Sequence, residues 1–330
     1  MMRKSLIRAV AIAPLTLLLA AGCKKEVLTV LNTNSPDVVR VFATAASVEG
    51  VVQGLGSQFW AGQSCSECMQ TQSKNIALET YGSVANFGMN TRNAIPRSAI
   101  NNDRGNSVQA GNIANFSTFS KVTRNATTAI QALDRLIVAA GTGGNALGSL
   151  AQDARARSFA FFINGAALGY LAMGYDSAAI VTPKVASDVV PELSFYPDVA
   201  AAGLALMDSA IAIATSANAT SGTNGFPLPT TWFAGVTFTQ AQFVQFVKAH
   251  QARIRAGVAR TPAERAAVSW TQVIADANAA AAYGDFVVTI GTGFGCSYDC
   301  SQMEVSAGWG QVSPMYSFMA DTSGAYNTWL

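Results

Sequence analysis

Ser158-Phe159-Ala160-Phe161-Phe162-Ile163-Asn164-Gly165-Ala166-Ala167-Leu168-Gly169-Tyr170-Leu171-Ala172-Met173-Gly174-Tyr175 carries no charge and sits inside the most apolar stretch beyond the N-terminus, Leu147 to about Ala179. Its length touches the threshold for a membrane-spanning helix. Asn164, three glycines, two tyrosines and a polar first turn with Asp153, Arg155 and Arg157 argue instead for a helix buried on all sides within a helical bundle. The Gly165-x-x-x-Gly169 spacing agrees, because small residues let a neighbouring helix approach closely.

Working outward, apolar residues recur at helical spacing on both sides of this segment. Val48, Val51, Val52, Leu55 and Phe59 predict a helix from an N-cap at Ser47 to near Trp60–Gly62. Gln63 to Asn115 is polar and reads as loops with short elements at most. Phe116 to Ala140 returns to helix through Phe119, Val122, Ala126, Ile130, Leu133 and Ile137, and Gly141-Thr142-Gly143-Gly144 stops it. Pro183 to Pro197 reads as a loop, and Asp198 to about Thr215 as a helix with Leu204, Met207 and Ile211 inward. After the turn-rich Ser216 to Pro229, Thr239 to about Gly257 is amphipathic through Phe243, Phe246, Val247 and Ile254. Thr261-Pro262-Ala263-Glu264 combines an N-cap, a first-turn proline and a capping-box glutamate, and opens a helix to about Tyr283. Phe286 to Ile290 is a short strand candidate.

The expected fold is therefore mainly α: paired antiparallel helices, long irregular loops and minor β. Stacked pairs of this kind form right-handed superhelical scaffolds in tetratricopeptide-like arrays, although no clean repeat of about 34 residues is visible.

The N-terminus carries a separate message. Arg3, Lys4 and Arg8 precede an apolar core from Ala9 to Ala20, which is a secretory signal too short to be a span. It runs into Leu19-Ala20-Ala21-Gly22-Cys23, which resembles the lipobox of bacterial lipoproteins; residues 1–22 would be removed and Cys23 would take the lipid. Residues 23–46 then form an extended leader and residues 47–330 the α-helical domain. Removing the signal lowers the basic count from 21 to 18 against 19 acidic residues, so the mature chain is close to neutral. With no Lys/Arg stripe, nucleic acid is set aside as a partner.

Taking Cys23 for lipid leaves Cys65, Cys68, Cys296 and Cys300. In an exported protein two disulfides are the default, bridged locally or between the pairs. A four-thiolate zinc site is the alternative reading of the same spacings, and no metal is assigned.

Catalysis has little to stand on. The single histidine, His250, lies in an amphipathic helix beside Lys248 and Arg253 and reads as a surface or packing residue. Asp285, Asp299 and Glu304 could supply a glycosidase's two carboxylates, but 19 acidic residues always offer some pair. Gly291-Thr292-Gly293-Phe294-Gly295 has the wrong register for a phosphate loop and reads as a turn. The expectation is a protein that is not an enzyme and uses no cofactor.

Leu28-Thr29-Val30-Leu31-Asn32-Thr33-Asn34-Ser35-Pro36-Asp37, with a helix from near Thr44 through Val48-Glu49-Gly50, resembles the mature start of SusD/RagB-like lipoproteins. Ala154 through Asp176 is similar to that family's central helix, and Phe246 to Arg253 with Ala263 to Ala282 to the helix pair that follows it. The resemblance implies tetratricopeptide-like helix pairs on the outer membrane, anchored by lipid and facing outward. It also implies a glycan or peptide nutrient as ligand and a role as lid on a SusC-like TonB-dependent transporter. Members of that family generally continue past the point matching Leu330, so a truncated member is expected. Aromatic residues in polar loops are the expected ligand contacts, because flat rings stack on sugar faces: Tyr81, Trp232, Tyr298, Trp309 and Tyr316. Trp60 and Trp270 lie on helices and are expected in the core. The competing function is a lipid-anchored helical scaffold that binds another protein.

Overall fold

The computed structural model describes residues 41–63, 69–82, 94–96, 101, 106, 109–220, 225–233, 235–285, 310–313, 315 and 323–329. In chain order the helices and strands are α1 (Ala45–Gln63), α2 (Met69–Ile76), β1 (Thr80–Gly82), α3 (Gln109–Ala139), α4 (Leu150–Gly174), β2 (Ser177–Ala179) and β3 (Leu193–Phe195). There follow α5 (Tyr196–Ala214), α6 (Ala217–Thr220), α7 (Gln240–Gly257), α8 (Pro262–Ala267), α9 (Trp270–Ala281), β4 (Gly310–Val312) and α10 (Ala325–Trp329). The fold is mainly α, and among the described residues the strands form two short antiparallel ribbons, β1 with β4 and β2 with β3. Residues Thr44–Leu330 make one compact unit and Met1–Ala43 another.

The uncharged segment is the axis of the bundle. Ser149 caps α4 by accepting the Gln152 N–H at 3.1 Å, and from Ser158 to Ala172 all but Phe161 are buried. Helix α3 runs antiparallel to it: the Tyr175 hydroxyl accepts the Phe116 N–H, Asn164 donates to Thr127, and Arg157 pairs with Asp134, each at 2.9–3.0 Å. Helix α5 crosses it on another side through Gly165 and Gly203. On composition α5 could cross a membrane, yet its Gly203, Leu206, Met207 and Ala210 face is buried in the bundle. Helix α7 lies parallel to α4, with Phe246 against Phe162 and Ile254 under Gly169.

Charges drawn into the first turn of α4 are matched one by one. The Asp153 carboxylate accepts the Ala146 and Leu147 N–H groups at 2.8 Å, tying the preceding loop to the helix. Burial nevertheless raises its pKa, with the two N–H donors opposing. Arg155 donates to Gly225 O and Glu49 Oε1 and lies 4.9 Å over the Trp232 ring.

Several boundaries differ from the sequence expectation, each for a tertiary reason. Helix α1 begins before Ser47, and Thr44 takes the capping role by accepting the Ser47 N–H at 3.2 Å. Helix α3 begins at Gln109 rather than Phe116, and Asn115 donates to Gly62 O at the end of α1. Those seven added residues include Asn115, held by a neighbouring helix end, which periodicity does not report. On α5 the buried face centres on Gly203, Leu206, Met207 and Ala210, with Leu204 and Ile211 only half-buried, because the close crossing selects small residues. The helix expected from Thr261 to Tyr283 breaks at Val268, which is extended, and the Trp270 indole N–H closes the end of α8 on Arg265 O at 3.0 Å. The break frees α9 to swing Asp276 onto α7. The Phe286 to Ile290 strand candidate lies outside the described residues.

Candidate functional site

Of the residues singled out from sequence, Cys23, Cys65, Cys68, Cys296, Cys300, Tyr298, Trp309 and Tyr316 lie outside the described residues. Tyr81 sits on β1 rather than in a loop, half-buried, and its hydroxyl donates to Gln311 Oε1 at 3.1 Å across the ribbon. Trp232 is a correction. It is 2% exposed, 5.4 Å from Phe159, capped by Arg155, and its carbonyl oxygen fills the space beside Gly56. A short 3-10 turn tips the ring inward, so it is core and offers no face to a sugar. Trp270 is corrected in the opposite sense: it is 47% exposed, because the break before α9 turns that helix outward.

A cleft of about 340 Å³ opens where α5, the end of α7 and the α8–α9 break converge. That volume falls in the range of small-molecule sites. Its walls are apolar, from Pro197, Ala200, Ala201, Leu204, Val258 and Val268, and Tyr196, Arg255, Glu264 and Ser269 supply the polar groups. Local sequence explains the arrangement. Pro197 starts α5 immediately after β3 and places Tyr196 at its first turn, while the Thr261 capping box fixes Glu264 at the start of α8.

The polar groups differ in how fully they are engaged. Glu264 accepts from the Tyr196 hydroxyl on one oxygen and from the Arg260 and Thr261 N–H groups, at 2.7 and 2.8 Å, on the other. The Tyr196 hydroxyl first, then those backbone donors, lower its pKa to about 2, so it stays ionised; the same hydrogen bond raises the pKa of Tyr196. Arg260 lies 3.9 Å from the Tyr196 ring centroid, pairs with Asp176 and donates to Ala172 O and Tyr175 O at 2.8 and 2.7 Å. It thereby binds the α7–α8 turn to the end of α4.

Arg255 and Ser269 are less committed. Arg255 Nε donates to Asp276 at 3.0 Å, and Asp276 also takes Lys248 at 2.9 Å and Gln272 at 3.1 Å. One buried carboxylate thus serves two cations. The Arg255 Nη atoms carry no hydrogen bond among the described residues, and Ser269 makes no capping bond despite its N-cap position.

His250 is the packing residue that its helix suggests. Its ring stands 4.7 Å from Phe246, 5.2 Å from Phe162 and 6.0 Å from both Phe59 and Tyr170. Burial, with Arg253 adding repulsion, lowers its pKa to about 3, and its Nδ1 has no partner among the described residues. Sequence reasoning missed Tyr196, assigned to a loop, and read Glu264 only as a cap. The juxtaposition of Phe195-Tyr196-Pro197 with the capping box is invisible until the helices pack. No protein-family model, curated protein or solved structure matches the chain.

Proposed function

We propose that this chain is a lipoprotein anchored through Cys23 in the outer membrane, facing outward, that binds a nutrient as the lid of a SusC-like TonB-dependent transporter. It acts by holding its ligand, without chemistry on it. The observation that carries the reading is that the internal segments resembling SusD/RagB-like proteins are neighbours in space. Phe246 of the second packs 5.3 Å from Phe162 of the first, and Arg260 reaches from the turn that follows to Ala172, Tyr175 and Asp176. The lipobox ending at Cys23 adds support, since a lid must stay close to its pore.

The test is affinity purification of the tagged full chain from solubilised outer membranes. A TonB-dependent transporter should co-purify. If none does, and neither oligosaccharides nor peptides are retained by the purified chain, the reading fails.

The exposed Trp270 and Ile274, one helical turn apart on α9, favour a second reading in which the scaffold captures another protein. Ile274→Ser, which keeps the Trp270 to Arg265 bond at the α8–α9 break, should weaken that capture and leave nutrient binding intact.

A further inference from the structure

We infer that the cleft between α5, α7 and the α8–α9 break binds a small apolar molecule bearing a carboxylate, with Arg255 and Ser269 holding the carboxylate. The inference names the ligand class for the cleft described above and rests on reading the chain as a binding protein.

The hydrogen-bond inventory selects the head group. Glu264 is the acceptor in the cleft, and its oxygens already take three donors. A ligand that must donate is left with hydroxyl oxygens, which are weaker acceptors than a free carboxylate. The uncommitted groups, the Arg255 Nη atoms and the Ser269 hydroxyl, can donate. Arg255 is also the group best suited to a carboxylate, because its planar fork matches the two oxygens. Its Nε bond to Asp276 fixes the fork without using the Nη atoms. Asp276 does not cancel it, since that carboxylate is shared with Lys248.

The walls select the body of the ligand. Pro197, Ala200, Ala201, Leu204, Val258 and Val268 offer aliphatic surface and no side-chain polar atom. A sugar ring buried against them would lose water from several hydroxyls with nothing in exchange. An acyl chain, or an apolar or aromatic ring, loses nothing and gains burial. The same chemistry is found in a free organic acid and in the C-terminal residue of a peptide.

Calorimetric titration of the purified full chain with octanoate, 3-phenylpropionate, Gly-Gly-Phe and its C-terminal amide tests the assignment and separates the two sources. Binding of the free acids alone identifies a small organic acid, and binding of Gly-Gly-Phe at least about tenfold tighter than its amide identifies a peptide terminus; either supports the inference. Arg255→Ala should weaken binding to a similar degree. Ala201→Trp, at an exposed position on the cleft wall away from the charge cluster, should abolish it without changing the melting temperature. No binding by any of these probes, an amide bound as tightly as a Gly-Gly-Phe that itself binds, or unchanged affinity in Arg255→Ala or in Ala201→Trp would overturn the inference. A chain that co-purifies with a transporter yet binds no carboxylate loses only this assignment, whereas carboxylate binding without a transporter loses only the lid.

Discussion

Gly165 on α4 and Gly203 on α5 each occupy the point where the other's carbonyl oxygen arrives. A Cβ at Gly165 would lie 2.5 Å from Gly203 O, and one at Gly203 would lie 2.7 Å from Gly165 O. Backbone, unlike a flexible side chain, cannot move aside without moving the helix. Gly165→Ala and Gly203→Ala should each cost about 1–3 kcal/mol, even though alanine is the better helix former. Urea unfolding measures this; stability equal to or above the parent chain would contradict the close crossing.

Trp232 tests the difference between a ligand platform and a core residue. Trp232→Ala should destabilise by about 3–5 kcal/mol, by leaving a cavity beside Phe159 and exposing Arg155. If the chain binds a nutrient as proposed, affinity per folded molecule should be unchanged. Loss of affinity with an unaltered melting curve would return Trp232 to the ligand site.

His250 gives the fold an acid sensitivity of definite sign. Its folded pKa, about 3, lies below the ordinary 6.5, so the unfolded chain takes up the proton first as pH falls. The stability is whole above pH 6.5 and declines steadily as pH falls toward 3. Glu264 also loses its contribution on acidification, but only from about 4.5 down to 2. The difference between the stability profiles of the parent chain and His250→Phe should therefore develop between pH 6.5 and 4.5. Parallel profiles over that window would show that the imidazole is not held neutral.

Asp276 is the one buried residue of α9 and holds that helix to α7 through Lys248 and Arg255. Both cations are about a quarter exposed, so breaking the cluster costs less than breaking a fully buried one. Asp276→Ala should lower the opening free energy of α9 by about 1–3 kcal/mol. Amide hydrogen exchange should quicken across 270–281 and leave α4 protected. Uniform acceleration through α4 would mean that α9 is not a separable unit.

In the proposed function Cys23 carries the membrane attachment. Cys23→Ala should move the chain from the membrane to the soluble fraction and remove incorporation of labelled fatty acid. Continued attachment without lipid label would dismiss the anchor.

The helices that bury a wide apolar stripe were legible before any packing. The core helix from Ser158, the amphipathic helix from Thr239, the Thr261 cap and the buried run from Phe119 to Leu133 follow from local rules, because periodicity and capping depend only on near neighbours in the chain. What local rules could not supply was direction. Whether Trp232 points into the core or toward a ligand, whether α8 runs on into α9, and whether Tyr196 meets Glu264 all depend on groups far apart in the chain. A side chain's exposure is a property of what packs against it. Only the assembled helices decided that Arg255 would be held by Asp276 yet keep donors free at the edge of a cleft.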